Sequence, residues 1–447
     1  MFLYIYGMRE PIAAGWLAGR VLDRSANGIA SEVAQLINAG ELQVGDQLPS
    51  VRDLAAHLRV SPATVSAAWG TLKQFGSVGG RGRGGTTVLG PQTPHPKRYS
   101  SEGVFTGAAP LDLTLSVPDP ALLPDTGQYL RPRAVQDLNE YRRAPIHPPL
   151  ERVAREHWPY PGETFVALSS GYEGLLMAVG TFLRPGDNVV VEVPSPPRLL
   201  DSVEHQGCRL LLVGRDEEGM RLDELERALA RKPTAVILQP GVHNPDGVAM
   251  SATRANVIAE MINGLDLVTI EDDGLGFLAP RPPETLAQRR AGQRRVFIRS
   301  FSKSHGPDLR LAVIEGGDRE IEQIHAYWEF GARWASRILQ DALARMLTDP
   351  AAWVGVEAAR TEYSLRRAAF IERYQLEEQV YGDGLLDIWL RVSNERRAVV
   401  TLAAHGVSCL GAHLFYIGDA PNFIRVSTAR LGQGNWPRLD RAVRSLE

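Results

Sequence analysis

Six short apolar runs that alternate with helical stretches constrain the fold more than any other feature of the chain. The runs are Asn188–Val193, Arg209–Val213, Ala235–Gln239, Leu265–Ile270, Arg295–Ser300 and Arg310–Ile314. Strands that are almost continuously apolar and are separated by helices are typical of a mostly parallel sheet with helices on both faces. The sequence therefore predicts a doubly wound α/β domain, with its functional groups at the carboxyl ends of the strands.

A second pattern lies near the N-terminus, where three helices and a hairpin are predicted. Apolar residues at helical spacing predict a helix over residues 26–39 and a shorter one over residues 51–58. A third helix begins at Pro62, because Ser61 can cap it and proline has no amide hydrogen to satisfy at the first helical position. Residues 77–89 then predict two short strands around a glycine-rich basic tip, which completes a winged helix-turn-helix.

The composition is that of a folded protein of two or three domains. The chain has 447 residues, of which 44% are hydrophobic and 23% are charged. The N-terminus has only a short apolar run without a basic lead-in, so we expect no signal peptide, no transmembrane helix and a cytoplasmic location. Cys208 and Cys409 lie far apart without metal-ligand spacing, so we expect neither a disulfide scaffold nor a metal site.

The charge distribution differs between the two ends of the chain. Residues 1–95 hold eight Lys or Arg residues against six acids, whereas the whole chain has a net charge of -3. A basic front end is the direction expected of a DNA-binding module. We divide the chain into a winged helix at 1–89, a linker and arm at 90–124, a large domain at 125–330 and a small α+β domain with its connecting helix at 331–447.

Polar groups collect just past the ends of the predicted strands. Asn244, Asp272 and Lys303 each follow a different strand, and Ser300 and Arg310 flank the lysine. Only four lysines occur in the chain, so few residues could supply an amine. An amine, carboxylates, an amide, hydroxyls and a guanidinium at one sheet edge are the set that pyridoxal 5′-phosphate requires.

Two motifs resemble those of known families. The run Ser300-Phe-Ser-Lys-Ser-His-Gly-Pro-Asp-Leu-Arg310, with Asn244-Pro and Asp272 upstream, is similar to fold-type I aminotransferases of the aspartate aminotransferase superfamily. The runs Leu48-Pro-Ser-Val-Arg52 and Ser61-Pro-Ala-Thr64 resemble the GntR-type winged helix. Both on one chain, in this order, resemble the MocR subfamily of transcriptional regulators.

This resemblance implies a role for each residue of the predicted site. It implies that Lys303 forms the internal aldimine with pyridoxal 5′-phosphate, that Asp272 binds the pyridine nitrogen and that Asn244 binds the phenolate oxygen. Arg425 falls where these proteins hold a substrate carboxylate. The residues implied at or beside the cofactor phosphate are Ser300, Ser302, Arg310, Gly171 and Tyr172.

Several positions depart from the family pattern. Tyr172 and Glu173 replace a small residue and a glutamine, and Pro196 stands where an aromatic residue commonly stacks on the cofactor. Gly274 replaces a tyrosine, and Asp308 replaces a glycine. The changes at Pro196 and Gly274 remove groups that tune catalysis and leave the lysine in place, so they favour a sensor over a fast enzyme.

The resemblance implies a regulator that binds double-stranded DNA as a homodimer and senses a small amino compound through pyridoxal 5′-phosphate. The residues predicted to contact DNA are Arg52, Ser61, Thr64, Ser66, Arg81 and Arg83. Two alternatives stay open, which are a working aminotransferase with an ancillary winged helix and a ligand sensor that lacks the cofactor.

Overall fold

The protein divides into two compact units, Met1–His95 and Pro96–Glu447, in a computed structural model. The structure describes residues 12–74, 77–80, 85–89, 98, 109–130, 138–141, 144–289 and 293–445. Within these ranges, no helix combines the length and the apolar character needed to cross a bilayer.

The first unit is a helix-turn-helix followed by a short antiparallel sheet. Its elements are α1 (Ala14–Ala18), α2 (Ala26–Asn38), β1 (Gln47–Leu48), α3 (Val51–Leu58), α4 (Pro62–Gln74), β2 (Val78–Gly79) and β3 (Thr86–Val88). Ser50 and Ser61 cap α3 and α4, because each hydroxyl accepts the backbone N–H three residues later. Arg59 adopts a left-handed conformation with φ of 57° at the end of α3, which reverses the chain toward α4.

The predicted helices and hairpin of this unit are confirmed, and one strand is added. The sheet order is β1-β3-β2, so β1 pairs with the second strand of the hairpin. Trp69 and Leu72 of α4 pack with Leu54 of α3 and Ile29 of α2 in one apolar core. The two residues of β1 are too few to show a period of two, which is why the sequence does not predict this strand.

The described residues of the segment predicted as a linker and arm, 98 and 109–124, take part in the second unit. Strand β4 (Leu111–Asp112) pairs in parallel with Val407–Ser408, and Leu111 is buried among apolar residues from the C-terminal part of the chain. Arg98 donates from Nη1 to Asp201 Oδ1 at 2.8 Å and to Glu204 Oε2 at 2.9 Å, and both acids lie in the helix Pro197–His205. The chain is therefore attached to this unit at two separate points.

An eight-stranded sheet forms the centre of the second unit. Its strands are β5 (Thr164–Leu168), β6 (Asn188–Val193), β7 (Arg209–Asp216), β8 (Gly219–Met220), β9 (Ala235–Leu238), β10 (Val268–Asp273), β11 (Arg295–Ser300) and β12 (Ala312–Gly316). The spatial order is β5-β12-β11-β10-β9-β6-β7-β8. The strands from β11 to β7 are parallel, whereas β12, β5 and β8 run antiparallel to their neighbours. The predicted, mostly parallel α/β sheet is confirmed.

Helices cover both faces of this large sheet. They include α5 (Pro148–Glu156), α6 (Gly171–Phe182), α7 (Pro197–His205), α8 (Leu222–Leu229), α9 (Ala252–Met261), α10 (Asp318–Trp328) and α11 (Arg337–Thr348). The next helix, α12 (Pro350–Tyr374), contributes Phe370 to the core beside the C-terminal strands. Ile298 of β11 packs into one apolar cluster with Ile270, and its neighbour Phe297 packs into a second cluster. Because both faces of the central strands are buried, their sequences are apolar runs without alternation.

A smaller sheet follows near the C-terminus. Its strands are β13 (Val380–Tyr381), β14 (Asp387–Arg391), β16 (Leu410–Gly411) and β17 (Phe423–Ser427), in the order β13-β14-β17-β16. Strand β15 (Val407–Ser408) pairs with β4 instead. The helices α13 (Glu395–Ala404) and α14 (Trp436–Val443) contribute Leu402 and Leu439 to the core beside this small sheet.

Strand β10 extends three residues beyond Ile270, its predicted end, and finishes at Asp273. The strand therefore contains three consecutive acids, which point to alternate faces of the sheet. Successive residues on a strand point to opposite faces. Glu271 is buried and accepts two backbone N–H groups from the chain at 286–287, and burial raises its pKa to about 7. Asp273 is buried beside the Arg299 guanidinium at 2.8 Å. Asp272 therefore points to the other face.

Candidate cofactor site and DNA interface

Asp272 lies beside the N-terminus of α6, at the carboxyl end of the parallel strands. Its Oδ2 accepts a hydrogen bond from Gln239 Nε2 at 2.8 Å. A Cβ placed on Gly171 would lie 3.3 Å from Ser300 Cβ and 4.0 Å from Asp272 Oδ1. Because Gly171 has no side chain, space remains between it and the strand ends that carry Ser300 and Asp272. Burial raises the pKa of Asp272, and Asp273 raises it further, whereas the Gln239 hydrogen bond and the charge of Lys303 lower it.

Two hydroxyls lie close to that helix N-terminus. Ser300 Oγ and Ser302 Oγ are 2.9 Å apart, and Ser300 is next to Gly171. Helix α6 has 12 residues, and its first backbone N–H groups favour an anion at this end. The structure therefore brings Gly171, Asp272, Ser300 and Ser302 together as a polar cradle that has both hydroxyl and backbone donors.

Glu173 is held by partners of its own. Its Oε2 accepts the Ser169 N–H at 2.5 Å, and its Oε1 accepts Trp328 Nε1–H at 3.1 Å. The preceding Tyr172 packs its ring against the Arg198 guanidinium at 4.0 Å from the ring centre. Two N–H donors therefore offset the negative charge that Glu173 brings to the start of α6.

Arg425 is buried on β17 and reaches Asn244. Its Nη1 donates to Asn244 Oδ1 at 2.9 Å, its Nη2 donates to the Thr114 carbonyl, and its guanidinium lies over the Phe415 ring at 5.0 Å. Only 4% of Arg425 is exposed, and its Nε has no hydrogen-bond partner among the described residues. A buried guanidinium with an unused donor is suited to bind a carboxylate.

Lys303 follows β11 and faces acids from both sheets. It lines a cavity of about 30 Å³ with Asn244 and with Asp387, the first residue of β14. Removal of the amine from water lowers the pKa of Lys303, and Arg425 lowers it too, whereas Asp387 and Asp272 raise it. Asp387 was not predicted as a site residue. The sequence feature that could have indicated a role for it is that it is the single acid inside the apolar run at 385–392.

The structure also describes the remaining predicted positions. Pro196 is buried and directly precedes α7, and a Cβ on Gly274 would meet Asp272 Oδ2 at an ordinary 3.7 Å. The space beside Asp272 would therefore accept a side chain at position 274. Asp308 and Arg310 are exposed on one short turn, where Arg310 is left-handed with φ of 47°. The described contacts do not bring Arg310 to the serine hydroxyls.

The residues present fit pyridoxal 5′-phosphate. The polar cradle at α6 offers donors for a phosphate, Asp272 offers a carboxylate and Lys303 offers an amine. Arg425 Nε and Asp387 Oδ1 are buried polar atoms without a partner among the described residues. Such atoms are uncommon in folded proteins, and they mark places that a polar ligand fills.

The candidate DNA interface is the outer face of α4 and the start of α3. Ser66 and Arg52 are exposed, and Thr64 is half-buried. Ser61 and Thr64 hydrogen-bond to each other through their hydroxyls at 2.8 Å, so both contribute to the cap of α4. The predicted wing contacts, Arg81 and Arg83, lie outside the described residues.

Comparisons with known proteins match both units. The gntR family of bacterial regulatory proteins matches residues 25–88, and aminotransferase class I and II matches residues 116–443. The vitamin B6 salvage pathway transcriptional repressor PtsJ of Salmonella typhimurium is 32% identical, and the match covers 91% of this chain and 95% of that protein. The chain belongs to the MocR subfamily of GntR-type regulators. The resemblance stated from the sequence motifs is confirmed.

Other similar proteins include regulators and enzymes. The MocR chain is 26% identical to the HTH-type transcriptional regulator TauR of Rhodobacter capsulatus, over 98% of this chain and 100% of that protein. The alpha-aminoadipate aminotransferase LysN of Thermus thermophilus, complexed with N-(5'-phosphopyridoxyl)-L-leucine, has a TM-score of 0.66 and 22% identity. That match covers 77% of the MocR chain and 94% of LysN. At this identity the likeness establishes the fold-type I architecture alone.

Proposed function

We propose that this MocR protein is a DNA-binding transcriptional regulator that binds pyridoxal 5′-phosphate and responds to a small amino compound. The observation that carries the proposal is the combination of a GntR-type unit with a buried site that holds Lys303, Asp272 and Arg425. The winged helix supplies DNA binding, and the site supplies the response to a ligand.

The cofactor, when bound, supplies an aldehyde that condenses reversibly with primary amines. Lys303 would hold it covalently, and its lowered pKa increases the fraction of neutral, nucleophilic amine. Asp272 would hold a proton on the ring nitrogen. Asn244 accepts from Arg425 through Oδ1, which leaves its Nδ2–H group to donate to the phenolate oxygen.

The phosphate and the ligand carboxylate have separate partners in this proposal. Ser300 and Ser302, with the N-terminus of α6 at Gly171, would bind the phosphate, and Arg310 would add its charge from the neighbouring turn. Arg425 would bind the carboxylate of an amino compound through its unused Nε. The two anionic groups would thus have different donors.

A test of cofactor binding uses Lys303→Ala together with Lys303→Arg, which keeps the charge but cannot condense with an aldehyde. We expect the wild type with pyridoxal 5′-phosphate to show a visible absorption band that borohydride removes, and both variants to lack it. Basal DNA affinity should change less than about twofold. It is measured by fluorescence anisotropy on a DNA duplex taken from the region upstream of the gene that encodes this protein. If the band persisted in both variants, pyridoxal 5′-phosphate would be attached to a lysine other than Lys303.

A second candidate is that pyridoxal 5′-phosphate is itself the signal. It is supported by the similarity to PtsJ, whose name places it in the vitamin B6 salvage pathway. DNA affinity that changes on adding the cofactor alone favours this candidate, whereas a change that needs an added amine favours the first. Transamination at about 1 per second or faster would instead favour the enzyme alternative.

We also propose that the protein acts as a homodimer, because paired winged helices suit paired half-sites. Static light scattering on the full chain with cofactor should give twice the chain mass of 49.0 kDa. A monomeric mass at the concentration used for DNA binding would contradict it.

A further inference from the structure

Asp387 is a buried carboxylate that the proposed cofactor chemistry does not use. It is 6% exposed, and its Oδ1 has no hydrogen-bond partner among the described residues. It lines the same cavity as Lys303 and Asn244. A buried carboxylate is costly unless a cation or a donor faces it. The site is therefore arranged to receive a positively charged or donating group at this point.

The small sheet fixes Asp387 with respect to Arg425. In the antiparallel pair of β14 and β17, Asp387 is opposite Ser427, and Trp389 is opposite Arg425. Residues two apart on a strand share a face, so Asp387 and Arg425 are diagonal neighbours on one face of the sheet. One buried cation and one buried anion thus lie side by side, each with an unused polar atom.

Lys303 provides the nearby positive charge when the site is empty of cofactor. Among the charges that act on the Lys303 amine, that of Asp387 has the largest effect on its pKa and raises it. When a ligand amine condenses with pyridoxal 5′-phosphate, as proposed above, Lys303 is released as a free amine, and its lowered pKa favours the neutral form. Asp387 then faces no full ammonium charge from Lys303, and a second amine on the ligand can supply one.

We propose that Asp387 is a specificity-determining residue that selects diamino carboxylic acids, with the ligand carboxylate on Arg425 and its side-chain ammonium on Asp387. This inference rests on the proposed function, because it assumes that an amino compound enters the site beside the cofactor. It predicts that a terminal ammonium increases ligand affinity, while an isosteric methyl or a carboxylate in that place decreases it.

The test compares three ligands on the full chain loaded with pyridoxal 5′-phosphate. L-Ornithine carries the side-chain ammonium, L-norleucine replaces it with a methyl, and L-glutamate carries a carboxylate. Ligand affinity is measured from the change in the visible spectrum and, separately, from the change in DNA anisotropy. We expect ornithine to bind at least about tenfold more tightly than norleucine, which is the effect of one charge-assisted hydrogen bond.

The matched variants are Asp387→Asn, which keeps the shape and removes the charge, and Asp383→Asn at a fully exposed acid four residues earlier. Asp387→Asn should remove the ornithine preference and leave norleucine affinity unchanged, and Asp383→Asn should behave as the wild type. If Asp387 had only a structural role, Asp387→Asn would weaken the binding of all three ligands equally, and that result would overturn the inference. A wild type that prefers norleucine or glutamate also overturns it, without need of any variant. Absence of the visible band in the wild type would instead refute the proposed function.

Discussion

Replacing Gly247 with alanine should separate the loop after β9 from the loop before β14. Gly247 closes the Asn244-Pro-Asp-Gly247 turn with φ of 76°. A Cβ there would lie 2.2 Å from Gly384 N and 2.6 Å from Gly384 Cα, so backbone would have to move. The left-handed conformation costs alanine about 1–2 kcal/mol, and overpacking adds about 1–3 kcal/mol. We expect a total loss of roughly 2–5 kcal/mol from the free energy of unfolding.

Gly264 offers a control with the same backbone conformation and no contact. Its φ is 74°, and a Cβ at this position would meet no atom of the described residues within 4 Å. Gly264→Ala should therefore incur the conformational cost alone, and the difference between the two variants isolates the contact of Gly247 with Gly384. Urea unfolding of the full chain, followed by tryptophan fluorescence, measures both values.

Cofactor affinity provides a second measurement for the same pair of variants. Asn244 lies in the displaced turn, so Gly247→Ala should also weaken binding of pyridoxal 5′-phosphate, while Gly264→Ala should not. Equal destabilisation by the two alanines, within about 0.5 kcal/mol, would refute the argument that the two loops meet through their glycines.

Three further predictions concern other parts of the chain. Glu271 has a folded-state pKa of about 7, above its ordinary value of 4.5, so between these pH values the folded protein keeps a proton that the unfolded chain releases. The free energy of unfolding should therefore fall by roughly 3 kcal/mol as the pH rises from 4.5 to about 7. Glu271→Gln should flatten that slope in urea titrations at pH 5.5 and 8, and an unchanged slope would assign it elsewhere. Tyr363→Phe should cost about 1 kcal/mol in urea unfolding, because the Asp119 N–H loses its acceptor. Ser61→Ala should cost about 1 kcal/mol in the thermal unfolding of the first unit, because α4 loses its cap; no shift of that transition would contradict the cap.

Elements with a strong local signal could be predicted from the sequence. The runs at 188–193 and 295–300 became strands with the predicted bounds, because strands buried on both faces are apolar throughout. The Ser61-Pro62 pair placed the start of α4, because capping is a property of adjacent residues. Strand β5 was missed, since its five residues alone do not distinguish a strand from a buried helical turn.

Contacts between distant residues could not be predicted in the same way. The sequence could not place Asp387 beside Lys303, because their proximity depends on how the small sheet packs against the strand ends. It also could not assign the partners of Glu173, since Trp328 is far away in sequence. The roles of Lys303, Asp272 and Arg425 stay predictions, which the structure supports by placing them around one site.

The two attachments of the chain that leaves the first unit have a mechanical consequence. Arg98 is fixed to α7, which begins next to Pro196 at the edge of the large sheet, whereas Leu111 is fixed to β15 beside the small sheet. A movement of the small sheet relative to the large one would therefore change the distance between Arg98 and Leu111. A pair of labels at these two positions would report that movement without a label in the ligand site.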